Sequence, residues 1–333
     1  MNKTEKFHYL LEKGPLRDKV LFRPILMYFA ANFIGKTYGE FAADHKVLAE
    51  ANLRCLGEFD IDMLGLISDP FRETSAFGAK IKYVPDGIPR CLNYVVKSMD
   101  DVVNLKNPDV YKSERTADRI KGGELLSKKT QGTIPIIGWI EGPLAEACDL
   151  FGVENMMIQL MVDPDFCNRL MDKCMITAKD FAKAQIEAGC EIIGLGDSVC
   201  SQIDGVTYEQ YIKYRHKELI SYIHDLGGKI KLHVCGDTNH LLPYYKDLNL
   251  DILDLDWQVD IQHARNVLGE KIILGGNINP VFVEDKSRDE VYNLSRDLVR
   301  EFKDDRYLLS AGCEITVLTP PENLMAMMEA SFL

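Results

Sequence analysis

The chain of 333 residues carries 51 acidic against 39 basic side chains, a formal charge of −12, and 46% of it is hydrophobic. No stretch approaches the roughly 18 uninterrupted apolar residues of a membrane helix. No Lys/Arg cluster forms a stripe suited to a phosphate backbone, so neither a membrane nor a nucleic acid is expected as a partner. The opening Met-Asn-Lys-Thr-Glu-Lys-Phe-His lacks the apolar core of a secretion signal. Nine cysteines without Cys-x-x-Cys spacing argue against a disulfide framework and for a reducing, cytoplasmic setting. Cys55, Cys148, Cys167, Cys174 and Cys190, each among apolar neighbours, read as core.

In chain order, short apolar runs closely followed by Gly, Asp, Asn or Ser predict strands at Leu21–Tyr28, Asp62–Ile67, Ile134–Ile140, Glu191–Leu195, Lys229–Val234, Ile252–Leu255, Lys271–Leu274 and Arg306–Ser310. Segments of 3.6-residue periodicity separate them, including Asp163–Ala188 and Thr207–Leu226. Met156, Met157 and Met161 fall at helical spacing and read as core. Asp237-Thr238 is expected to cap a helix near Asn239, and Thr319-Pro-Pro-Glu322 to form a capping box. The stretch Tyr83–Gly132 is long for a connection and reads as an insertion after the second strand. Strands alternating with helices and no evident linker predict one (β/α)8 TIM barrel over residues 1–333, with extra N-terminal helices. A doubly wound open sheet is the alternative; only a barrel makes the first and last strands neighbours.

A barrel of this kind carries its chemistry at the C-terminal ends of its strands. The polar residues there are Asp69, Glu141, Asp197, His233, Cys235, Asp256, Asn277 and Cys313. Alternate strand residues share a face, so His233 and Cys235 project together, about 6.5 Å apart along the backbone. Cys313 follows another strand on the same rim. One imidazole and two thiols suit zinc with a fourth position left open, the pattern of a catalytic and not a structural site. A buried cysteine acting as a small hydrophobe is the plainer alternative for each thiol.

The runs Leu232-His-Val-Cys-Gly-Asp-Thr, Asp254-Leu-Asp, Gly275-Gly-Asn-Ile-Asn-Pro280, Gly312-Cys and Thr319-Pro-Pro-Glu-Asn resemble the uroporphyrinogen decarboxylase superfamily, and within it the branch of methylcobamide:coenzyme M methyltransferases. The resemblance runs from about Gly138 to the C-terminus and, more loosely, back to the start of the chain. It implies a (β/α)8 barrel, zinc on His233, Cys235 and Cys313, and a reversible acidic ligand falling on Asp256, where the family usually has Glu. It also implies a methylcobamide delivered by a partner corrinoid protein and a zinc-activated acceptor, a small thiol such as coenzyme M. Asp197 and Asn277 are candidate substrate-orienting groups, although Asn277 in Gly-Gly-Asn also suits a turn after the seventh strand. A homodimer is compatible with this reading.

Two alternatives stand beside this reading: a methyltransferase that delivers a methyl group from a small molecule to a cob(I)amide carrier, and a decarboxylase-like lyase. The decarboxylase signature Arg-Gln-Ala-Gly-Arg-Tyr is replaced by Met27-Tyr-Phe-Ala-Ala-Asn-Phe33, and no arginine lies between Arg23 and Arg54. The late Gly-His-Gly is replaced by Ala311-Gly-Cys313. Ile67-Ser-Asp69 does match the decarboxylase Phe-Ser-Asp, but without cations for a polycarboxylate, Asp69 reads as a polar group of the mouth or a helix cap.

Overall fold

A computed structural model describes residues 1–333. Eight strands lie parallel in one sheet: β1 (Leu21–Phe22), β2 (Leu64–Gly65), β5 (Ile136–Glu141), β6 (Ile192–Gly196), β7 (Lys229–His233), β8 (Ile252–Asp254), β9 (Ile273–Ile278) and β10 (Tyr307–Ala311). An antiparallel hairpin, β3 (Ile81–Val84) and β4 (Gly87–Cys91), stands apart from it. β1 pairs with β10 in the register Leu21↔Leu308 and Phe22↔Leu309. First and last strands are therefore neighbours, as a barrel requires and an open sheet does not.

The seam between β1 and β2 is closed by a side chain. Asp62 donates its backbone N–H to the carbonyl of Phe22 (2.8 Å), and its Oδ2 accepts the Phe22 N–H (2.7 Å). The same carboxylate, 1% exposed, takes Lys19 at 2.8 Å and Lys3 at 3.1 Å. At the bottom of the barrel Leu21, Met63, Ile137, Ile192, Ile252, Ile273 and Leu308 meet in one buried layer. Phe7 and Leu10 of the N-terminal helix Lys3–Glu12 and the following Leu16 seal it from below.

The alternation within the strands sorts the remaining side chains. Residues such as Phe22, Leu64, Ile193, Leu232, Leu253 and Leu309 face outward into the larger core under the helices. One of these, Pro164–Glu187, starts as its sequence dictates: Pro164 occupies the first turn and Asp163 accepts the Phe166 N–H at 3.2 Å. No helix is long and apolar enough to cross a membrane.

Several local expectations change. The first strand does not run to Tyr28, because Pro24 removes a ladder donor and Tyr28 opens the helix Tyr28–Phe33. The Tyr83–Gly132 insertion consists of most of the hairpin, the helix Met99–Asn104, and the helix Glu114–Thr130 that leads into β5. Thr319 makes no capping box: its hydroxyl pairs with that of Thr316 at 2.8 Å, and the last helix, Pro321–Ala330, starts on proline without a side-chain cap. Asp237 caps a 3-10 turn, Asn239–Leu241, through the Asn239 N–H (3.0 Å), and Thr238 makes no side-chain cap. Met156 is buried as expected, but Met161 is 87% exposed.

Removing the carboxylate at the seam strands the buried Lys19 ammonium and the Phe22 amide. Asp62→Ala is expected to lower unfolding free energy by about 3–5 kcal/mol, measured by urea denaturation. An unchanged midpoint would show that the β1–β2 seam closes without it.

Candidate metal centre at the barrel mouth

Above the apolar bottom layer the inward-facing positions become polar. Lys231 and His233 on β7, Asp254 on β8 and Arg23 just past β1 form a buried group inside the barrel. Small neighbours make the room. A side chain at Gly194 would stand 2.4 Å from the Trp139 ring, one at Gly196 2.7 Å from it, and one at Gly275 2.9 Å from Asp254. The indole of Trp139 therefore lies across β6, edge-on to the His233 ring at a centroid distance of 5.8 Å.

Asp254 orders this layer. Its Oδ2 accepts from Arg23 Nη1 (3.3 Å), from Lys231 Nζ and from His233 Nδ1 (3.1 Å). Burial alone would push the Asp254 carboxyl up, but Lys231 and Arg23 outweigh it and hold the group well below the ordinary carboxylate range. Burial also brings Lys231 down to about 8, with Arg23 adding to it and Asp254 opposing. An ionised carboxylate only accepts, so His233 carries its proton on Nδ1 and turns the Nε2 lone pair to the mouth.

Three donors meet there. His233 Nε2 lies 3.1 Å from Cys235 Sγ, Cys235 Sγ lies 3.5 Å from Cys313 Sγ, and Cys313 Sγ lies 4.0 Å from His233 Nε2. Cys235 extends past β7 before a turn at Gly236 (φ 93°). Cys313 is swung inward by Gly312, where a Cβ would sit 2.4 Å from the Trp257 amide nitrogen. A hydrogen bond from Cys235 holds the Cys313 thiol down to about 4 against burial, while Cys313 and burial push Cys235 up.

Tetrahedral bonds of about 2.0–2.1 Å to nitrogen and about 2.3 Å to sulfur set donor atoms about 3.6–3.8 Å apart. The observed spacings straddle that range, and the donor types match a small, soft divalent ion such as zinc. All three residues line one face of a cavity of about 270 Å³, so a fourth position would open to it. The rest of the wall includes Ile25, Met27, Ile67, Ile88, Trp139, Asp69, Glu141 and Glu314, the Asp69 side chain itself being turned away and fully buried.

The other expected residues divide. Asp256 is buried beside the cluster with its Oδ1 on the Gln258 N–H (3.1 Å), and it is not within the group of close donor atoms. Asn277 does not serve a turn: it lies within β9, and its amide donates to the carbonyls of Val259 (2.7 Å) and Asp256 (3.4 Å), tying down the loop that carries Asp256. Asp197 is not at the cavity. It is fully buried, accepting from the N–H of Ala145 (2.7 Å) at the start of the helix Pro143–Phe151 and pairing with His216 Nε2 at 3.0 Å. That makes it an anchor for a helix N-terminus, not a group that can orient substrate. Asp254, Lys231, Arg23, Trp139 and Glu314 were not singled out from the sequence, although the two-residue period back from His233 and Asp256 points to Lys231 and Asp254.

Across the cavity a second buried network holds an excess of acid. Asp69 receives two N–H bonds from Arg115 (2.9 and 2.7 Å). Burial would raise its pKa, but Arg115 and Arg72 hold it well below the usual range. Glu141 Oε1 accepts from the Trp139 indole (3.0 Å) and Arg72 (3.4 Å). Behind it Glu73 accepts the Glu141 N–H at 2.9 Å, and Glu146 accepts the Thr74 hydroxyl at 3.1 Å. Glu73 Oε2 and Glu146 Oε1 have no partner. Burial, with the neighbouring acids, pushes Glu141 and Glu146 up and brings Asp149 to about 7.

The fold and site define a (β/α)8 barrel with a soft three-donor cluster at its C-terminal rim. The uroporphyrinogen decarboxylase (URO-D) family model matches residues 21–331, and the chain belongs to that family. A uroporphyrinogen decarboxylase of Geobacter sulfurreducens is 25% identical over 303 residues, covering 88% of this chain and 86% of its own. A methylcobamide:CoM methyltransferase of Methanosarcina mazei is 28% identical over 287 residues, covering 85% and 82%. A solved methyltransferase structure from Methanosarcina mazei superposes with a TM-score of 0.90 at 20% identity over 99% of this chain and 98% of its own, which shows the shared fold.

Asp149 gives a pH signature. Its folded pKa of about 7 lies above the ordinary value of 3.8, so the stability it contributes is fully present below about pH 4 and is lost as pH rises through 7. Relative to wild type, Asp149→Asn is expected to gain stability progressively from about pH 4 to about pH 7, read from urea midpoints across that window. Parallel pH profiles would show that Asp149 ionises normally.

Proposed function

We propose that this chain is a zinc-dependent corrinoid methyltransferase, moving a methyl group between a methylcobamide held by a partner corrinoid protein and a small acceptor, most simply a thiol. The observation that carries this reading is the convergence of His233, Cys235 and Cys313 on one face of an open cavity. Membership of a family with methylcobamide:CoM methyltransferases among its members supports it.

The same family contains uroporphyrinogen decarboxylases, and the cavity argues against that chemistry here. A polycarboxylate tetrapyrrole needs cations for its acid groups. No lysine or arginine lines the wall, and Met27, where the decarboxylase signature would stand, presents a thioether.

Zinc, when bound, supplies a Lewis acid that lowers the pKa of a thiol entering its open position. The protein's residues do the rest. Asp254 fixes the His233 tautomer, so that Nε2 is available as a donor without rotation or proton loss. Cys235 and Cys313 bring two negative charges as thiolates, which offset the dication and leave an incoming sulfur electron-rich and nucleophilic. Trp139, Ile25, Ile67 and Met27 surround the position with apolar surface. That surface keeps bulk water away from the nucleophile and faces the methyl group with carbon and sulfur atoms. Asp256 lies outside the donor cluster with Oδ1 on the Gln258 N–H, so a role as reversible acidic ligand would require the loop that Asn277 ties down to move.

Purified protein is expected to carry about one zinc per chain, and Cys313→Ser is expected to lower zinc affinity by a factor of ten or more, measured by competition with a chromogenic chelator. Zinc-loaded protein should demethylate methylcobalamin in the presence of a thiol, with loss of at least 90% of that rate in Cys313→Ser. Methylcobalamin that survives every thiol and tetrahydrofolate would end the proposed direction of transfer.

A further inference from the structure

The charges around the cavity decide which small molecule it can hold. The nearest guanidiniums, Arg72 and Arg115, are 0% and 6% exposed and already committed. Arg115 grips both oxygens of Asp69, and Arg72 reaches the Ser68 hydroxyl (3.2 Å) and Glu141 Oε1 (3.4 Å). Beneath His233, Arg23 and Lys231 both face Asp254. None of these four basic side chains lines the cavity, so an anionic ligand meets no cation at its wall.

Carboxyl oxygens, by contrast, are left over. Glu141 lines the cavity with Oε1 bonded to Trp139 and Arg72, while its Oε2 has no partner and is not sealed from the cavity. Glu314 also lines the wall: its Oε1 accepts the Tyr28 N–H at 2.7 Å, and its Oε2 makes no hydrogen bond. Behind Glu141, the partnerless oxygens of Glu73 and Glu146 belong to side chains 1% and 2% exposed. On this side of the cavity four acids, Asp69, Glu73, Glu141 and Glu146, stand against two bases, Arg72 and Arg115.

We propose that the small methyl acceptor or donor of this site is cationic, bearing an ammonium or sulfonium group that pairs with Glu141 and Glu314, and that sulfonates and carboxylates are excluded. The inference rests on the cavity being the methyl-transfer site. A cation at the wall finds carboxyl oxygens of Glu141 and Glu314 without a protein partner and is attracted by their charge, whether or not it has an N–H to donate. Burial favours the neutral form of Glu141; an arriving cation is what lets it ionise, and an arriving anion meets only acceptors and acid. The three soft donors and the carboxyls line one small cavity, so a compact molecule can present its reacting heteroatom to the former and its charge to the latter.

The test compares three two-carbon thiols of matched reach on the zinc-loaded full chain by calorimetry. They are 2-mercaptoethyl-trimethylammonium, whose quaternary nitrogen cannot ligate zinc, neutral 2-mercaptoethanol, and 2-mercaptoethanesulfonate. The ammonium thiol is expected to bind at least ten-fold more tightly than the sulfonate, with the neutral thiol between them. Glu141→Gln, which keeps an acceptor for Trp139, should shrink the gap to about three-fold or less. Equal or tighter sulfonate binding overturns the proposal, as does failure of the ammonium thiol to bind or a gap unchanged in both Glu141→Gln and Glu314→Gln. The same thiols offered with methylcobalamin separate the two claims. Charge-ordered binding without methyl transfer sinks the transferase reading alone, whereas transfer to the sulfonate in preference to the ammonium sinks this one alone.

Discussion

The carboxylate of Asp254 is the constraint on which the mouth of the barrel depends. A carboxylate buried by itself would take up a proton and lose its orienting power. Here Arg23 and Lys231 reach it from two other strand positions and keep it ionised, and the charge in turn fixes the proton of His233 on Nδ1. The imidazole then offers Nε2 to the two sulfurs. The two cations thus act on the donor set only through Asp254, which neither bypasses. A chain of this kind explains why charged side chains sit inside a barrel whose next layer down is wholly aliphatic.

The polar layer exists only because its neighbours are small. Gly194 and Gly196 yield the width of two side chains to the Trp139 indole, and Gly275 yields its volume to Asp254. Close packing in a barrel interior leaves no slack for such groups unless positions in the same layer are emptied. Gly312 performs the corresponding task at the rim, letting the backbone pass against the loop after β8 so that Cys313 turns inward. Glycines and the metal-ligand candidates are thus parts of one packing solution.

The two halves of the mouth carry different chemistry. The side built by β7, β8, β9 and the end of β10 gathers soft donors over a base in which Arg23 and Lys231 share the Asp254 carboxylate. The side built by β2, β5 and the segments after them gathers Asp69, Glu141, Glu73, Glu146 and Asp149 around two arginines, with oxygens left unpaired. The first half is suited to activating a heteroatom. The second shapes the field in which that heteroatom's molecule must sit, and burial pushes several of its acids toward the neutral form.

The barrel was legible because its strands are short, apolar and evenly separated by helical segments, and because period-two alternation places His233 with Cys235. The ends of elements were less so: Pro24 shortens β1, and the Thr319 hydroxyl bonds Thr316 in place of capping a helix. Asp197 stood at a strand end like the other candidates, yet which way it turns depends on the helix Pro143–Phe151 packed beside it. Residue types and local spacing determined the available donors and the strand each would leave. Bringing Cys235 to 3.5 Å from Cys313, 78 residues later, was decided by barrel closure. So was the pairing of Arg23 with Asp254, 231 residues apart. Such contacts follow from strand order and register, which no local pattern encodes, because they are settled by how eight separate segments bury their apolar faces together.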